Sequence, residues 1–88
     1  MAATKTFNIG ECAIGGRIQV NIQGKIIEVK ALDWNTKKPV QTGTHQTDCE
    51  NSRYVIKEFL EDLTTYYHAE KIFEWIESKV KIGPTFDW

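Results

Sequence analysis

Four side chains in this sequence have the chemistry to hold a transition metal or to begin nucleophilic catalysis: Cys12, His45, Cys49 and His68. Zinc sites are built on close pairs such as C-x-x-C or H-x-x-x-H, which let one turn or one helix face present two ligands. No such pair occurs here; His45 and Cys49 are near neighbours but fall across an expected strand-to-helix junction. The four read instead as a buried thiol at Cys49, a sheet cysteine at Cys12 and two surface histidines. A catalytic nucleophile needs a base that a third group orients, and neither cysteine sits in a recognisable turn of that kind. The glycine-rich run from Gly10 to Gly16 leads into a strand rather than a helix N-terminus, so it is not a phosphate loop. Glu58, Glu61 and Asp62 fall on the solvated face of a helix, with Lys57 four residues before Glu61 as a supporting pair. An enzyme is therefore not expected, and no metal or cofactor is called for. A small-ligand binder or enzyme without an identifiable site is the last alternative, since 88 residues struggle to enclose a pocket.

Interaction chemistry is better represented. The segment from Gly15 to Lys30 reads as a hairpin with one aliphatic and one polar face. With a two-residue turn at Gln23-Gly24, residue 22 pairs with 25, 20 with 27 and 18 with 29. Ile18, Val20, Ile22, Ile27 and Val29 then share one face, while Arg17, Gln19, Asn21, Glu28 and Lys30 share the other. In that register Arg17 lies opposite Lys30, a like-charge pair that invites something anionic. Arg17, Lys25, Lys30, Lys37 and Lys38 form the candidate set for an anion or nucleic acid, with Trp34 as an aromatic for stacking. Against it stands a sequence pI near 6.1, low for a nucleic-acid module.

The candidate protein-interface residues are Trp34, Trp75, Phe86 and Trp88. Two aromatics within the last three positions have too much apolar area to leave in water, so they fold back or enter a partner. Trp75 lies off the row of Ile72, Ile76 and Val80, and with Tyr67 and His68 it suggests a contact patch.

Size and charge narrow the class. Eighty-eight residues at 41% hydrophobic content and 26% charge make one small domain (1–88) with a single core. Self-association would help to stabilise a domain this small. Residues 1–47 carry six Lys/Arg against three acids, and residues 48–88 carry five against nine, so the net −1 hides a basic half and an acidic half. No apolar run is long enough for a membrane helix, and Met1 to Lys5 lacks the apolar core of a signal peptide. Two cysteines are too few to staple a secreted mini-protein, which points to the cytoplasm and reduced thiols, with a Cys12–Cys49 bridge as the alternative.

The elements follow from pattern and punctuation. Residues 1–46 are β-rich, 47–82 helical, and 83–88 an aromatic tail. A first strand is expected over 4–13, with Phe7 and Ile9 inward. A turn at Gly15-Gly16 then sets Ala13 opposite Ile18 and Glu11, a misfit on an oily face, opposite Val20; Gly10 marks a bulge. A third strand covers about 25–34, with alternation breaking at Ala31-Leu32. A fourth covers 40–45, limited by Pro39 to an edge or to its own first residue. Thr47-Asp48-Cys49-Glu50 matches a capping box, predicting a helix over 48–65 with Val55, Phe59 and Leu63 in its stripe. Ile72, Phe73, Ile76 and Val80 predict a second over 69–81, stopped by Gly83-Pro84. The poor helix formers Thr64 to His68 favour a break over one long helix. The expected class is α+β: an antiparallel three- to four-stranded meander, then two helices packed on one face. The expected function is a small non-enzymatic protein-interaction module, binding a protein partner or a second copy of itself and no membrane; nucleic-acid binding is the alternative.

Overall fold

The computed structural model describes residues 2–83. Four antiparallel strands, β1 (Ala2–Asn8), β2 (Gly16–Gln23), β3 (Ile26–Asp33) and β4 (Pro39–Gln46), lie side by side in chain order. A short 3-10 turn (Gly10–Cys12) interrupts the β1–β2 connection. Two helices follow, α1 (Ser52–Leu63) and α2 (Tyr66–Lys79). The class is α+β, and both helices cover the same face of the sheet.

Alternation in β2 and β3 drives this layering. Ile18, Val20, Ile22, Ile27, Val29 and Ala31 are buried against Ile56, Leu60 and Leu63 of α1 and Ala69, Ile72, Phe73 and Ile76 of α2. Each fully buried aliphatic side chain contributes about 1.5–3 kcal/mol from desolvation. The helices divide the sheet between them. The Phe59 ring of α1 occupies the space above Gly43 of β4, where a Cβ would lie 2.6 Å from it. Trp75 of α2 meets Phe7 of β1 edge to face at 5.9 Å. Arg53–Glu77 (2.7 Å) and Lys57–Glu70 (2.9 Å) bridge the two helices.

The β2–β3 register differs from expectation by two residues. Ile22 pairs with Ile27, Val20 with Val29 and Ile18 with Ala31, so the turn is Gly24-Lys25. Gly24 takes φ 60°, the positive value that the first central position of a II′ hairpin turn requires. A shift of two leaves every side chain on its assigned face. Arg17, however, now opposes Leu32, and Lys30 opposes Gln19, so the proposed Arg17–Lys30 repulsion does not exist.

β1 is shorter than expected and pairs differently, with Phe7 opposite Ile18 and Lys5 opposite Val20. The chain leaves the sheet after Ile9, whose N–H donates to the Gly16 carbonyl (2.9 Å). Glu11 thereby escapes the oily face and is exposed in the 3-10 turn, and Cys12 is exposed there too rather than in a strand. Tertiary contacts hold this excursion. The Ile14 N–H donates to the Leu63 carbonyl (2.8 Å) at the open C-terminal end of α1, and the Thr64 hydroxyl donates to the Cys12 carbonyl.

α1 begins at Ser52, four residues later than the capping box implied. Thr47 is buried and committed elsewhere: its N–H donates to the Lys25 carbonyl (2.9 Å) and its carbonyl accepts the Gly83 N–H (2.7 Å). Ser52 organises the entry instead, accepting the Cys49 N–H (2.9 Å) and donating its hydroxyl to the Gln46 carbonyl (2.7 Å). Cys49 is exposed in this connection, not a buried thiol, and is unpaired like Cys12. The helical break falls at Thr64-Thr65, where the Thr65 side chain accepts the His68 N–H. α2 ends at Lys79, before Gly83, because extended Val80 directs Ile82 into the core. β3 carries the irregularity expected at Ala31-Leu32, and Pro39 opens an edge strand. Among the described residues, no helix is long and apolar enough to cross a membrane.

Candidate functional site

The face of the sheet turned away from the helices is polar, and none of the described residues outside the sheet forms a layer over it. Its rows run Thr6, Gln19, Lys30, Thr42 and then Thr4, Asn21, Glu28, Thr44. Lys30 Nζ lies 3.3 Å from Glu28, and Asn21 reaches Gln19 and Glu28 over 3.3 and 3.4 Å. Most of its hydrogen-bonding capacity is thus spent within the face. A shallow depression of about 380 Å³ lies over Gln19, Asn21, Ile26 and Lys30.

One corner of the molecule is different. Trp34, just past the end of β3, folds over Gly16, where a Cβ would meet its ring at 3.0 Å. The Arg17 guanidinium lies 4.2 Å from the ring centroid, within cation–π range, and also donates to Asn8 Oδ1. Gly15 (φ 75°) lets the chain pass 2.5 Å, measured from an added Cβ, from the Leu32 carbonyl and beside Val40. Trp34 (45%), Ile14 (42%) and Val40 (54%) remain exposed around this glycine pair. A notch of about 300 Å³ lies between Trp34 and the backbone of Gly10, Gly15 and Gly16, with Glu11 and Ala13 completing its lining.

The turn after Trp34 is tightly made. The Asp33 carboxylate accepts N–H groups from Thr36 (2.9 Å) and Asn35 (3.0 Å), which hold its carboxyl below the ordinary range. Lys37 takes φ 62° there, and Lys37 and Lys38 are exposed at its tip.

The sequence-derived residues therefore separate. Arg17 and Trp34 come together, with Lys37 and Lys38 in the adjoining turn. Lys25 sits at the opposite end of the β2–β3 hairpin, 3.5 Å from Asp48, and Lys30 is mid-face beside Glu28. Trp75 is half-buried against Phe7, its apolar area largely used within the chain. Phe86 and Trp88 lie outside the described residues. Ile14 and Val40 were missed, because each is a lone apolar residue in sequence; the loop's return past α1 sets Gly15, next to Ile14, against Val40. His45 is half-buried rather than a surface histidine. It leans on Phe59 at 5.0 Å, and burial pushes its pKa down. Among the described residues, no three His, Cys, Asp or Glu gather as a metal site.

A depression of about 640 Å³ is lined only by residues 50–61, all from α1 and its entry. One helix cannot wall a ligand on two sides, so this surface has no means of enclosing a substrate. The corner differs: it joins an exposed tryptophan to a guanidinium 4.2 Å from its ring, residue types that are frequent anchors of protein–protein contact. Compared with known protein families, curated proteins and solved structures, the chain matches none.

Proposed function

We propose that this protein is a small non-enzymatic interaction module, self-associating, that makes contact through the Trp34 corner. The observation that carries this reading is the exposed Trp34 ring, packed on Gly16 and 4.2 Å from the Arg17 guanidinium, with Ile14 and Val40 exposed beside the adjoining Gly15. Its position is set before any partner arrives, so little conformational entropy is lost on contact. The module belongs to a reducing cytoplasm, in keeping with Cys12 and Cys49 as free, exposed thiols.

Nucleic acid is the weaker alternative. Lys25 and Lys30 are already paired with acids, which leaves Arg17, Lys37 and Lys38 as its main cationic support. A mobility shift that weakens with salt and with joint Lys37→Glu and Lys38→Glu would restore it.

Sedimentation over a concentration series tests the main reading. Wild type is expected to self-associate, and Trp34→Ala to weaken association by at least ~10-fold. A wild-type monomer at every concentration would rule out self-association, and an unaffected Trp34→Ala would remove the corner from the contact.

A further inference from the structure

We propose that the two copies meet along β4, pairing antiparallel so that two four-stranded sheets become one of eight strands. This deepens the self-association reading and rests on it.

The ladder shows which backbone groups are free. Thr47 N–H bonds the Lys25 carbonyl, and residues 45, 43 and 41 oppose 27, 29 and 31. Antiparallel bonding alternates along a strand, so Thr42, Thr44 and Gln46 direct their N–H and C=O groups away from β3. The Gln46 carbonyl already accepts the Ser52 hydroxyl, so among the described residues the N–H and C=O groups of Thr42 and Thr44, with the Gln46 N–H, form the row at this edge that can pair with another strand.

The side chains say what that strand is. Pro39 to Gln46 contains no Lys, Arg, Asp or Glu, although 26% of the chain is charged. Two copies about a two-fold axis bring like regions together, so a charge near the axis would face its own kind. β4 has none, and burial favours neutral His45. Thr42 and Thr44 flank Gly43 symmetrically, so an axis at Gly43 pairs Thr42 of one copy with Thr44 of the other. The same axis brings the two Phe59 rings, each over its own Gly43, toward one another. Val40 belongs both to β4 and to the Trp34 corner, which makes the two surfaces continuous.

The other edge is guarded. Lys5 of β1 faces the helix side of the sheet, its Nζ 5.1 Å from the Phe7 ring. An inward-facing charge on an outer strand is a recurrent device against edge pairing.

The experiment compares the two edges in the full chain. Thr44→Pro deletes an outward N–H that makes no bond to β3, and Thr6→Pro does the same on β1, where residues 5, 7 and 9 carry the ladder bonds. Thr44→Lys, a surface change that keeps the backbone intact, covers the case in which proline prevents folding. Circular dichroism confirms the fold of each variant, and sedimentation reads association. Both Thr44 variants are expected to weaken association by at least ~10-fold, with Thr6→Pro matching wild type. Association that resists both Thr44 variants but yields to Trp34→Ala overturns β4 pairing and leaves the corner reading intact. Equal loss in Thr6→Pro also overturns it, and a monomeric wild type overturns both.

Discussion

The two faces of this sheet share one backbone and differ in nearly everything else. Toward the helices, Ile18, Val20, Ile27 and Val29 are fully buried among aliphatic and aromatic neighbours. Away from them, Gln19, Asn21, Glu28 and Lys30 form long hydrogen bonds and an ion pair that water can replace. The contrast shows on which face stability resides. Desolvation of the covered face holds the strands in place, while the exposed polar pairs of the other face contribute little to folding.

The strongest way to break this contrast is substitution on each side. Leu60→Ala is expected to cost about 2–5 kcal/mol in urea denaturation, through lost burial and the cavity left behind. Asn21→Ala is expected to stay within about 0.5 kcal/mol. Similar losses would mean that the open face is structural too.

The glycines of the corner connection give a smaller, sharper test. Gly10 (φ 84°) has open space where a Cβ would stand, whereas Gly15 (φ 75°) has the Leu32 carbonyl oxygen 2.5 Å away. Gly10→Ala should cost about 1–2 kcal/mol from the left-handed backbone alone. Gly15→Ala should cost clearly more and loosen the Trp34 corner, read as a change in tryptophan fluorescence. Equal costs would show that the backbone yields and the close approach is unimportant.

The mildest effect concerns His45, on the helix-covered face of the edge strand β4. Burial lowers its pKa from 6.5, so the unfolded chain takes up its proton before the folded one does. Its contribution to stability is present above pH 6.5 and is lost as pH falls below that value toward the lower folded pKa. The melting temperature should therefore drop between pH 7.5 and 5.5, and His45→Gln should flatten that slope. Asp33 and Glu70, whose carboxyls are held below their ordinary values of 3.8 and 4.5, act only further down the pH scale. A wild-type slope unchanged by His45→Gln would place the sensitivity elsewhere.

Much of the fold was legible because short-range patterns carry it. Period-two alternation in β2 and β3 marked the core face, the four-residue repeat of Val55, Phe59 and Leu63 marked a helix, and Thr64-Thr65 marked the break. The site was only half legible. Trp34 and Arg17 stood out as residue types, but Ile14 and Val40 did not, and Lys25 proved to have an acidic partner, Asp48, that lies near it only in the folded chain.

Residue order by itself determined which side of the sheet each β2 and β3 side chain occupies, since pairing shifts of two preserve that assignment. It could not choose among those shifts, because each keeps aliphatics facing the helices; Gly24's conformation and the Ile22–Ile27 pairing made the choice. Nor could it foresee that Thr47 would be drawn into the end of the sheet or that Ile14 would bond the last turn of α1. Those outcomes join residues 22 to 49 positions apart in the chain, so they exist only once the helices have settled on the strands.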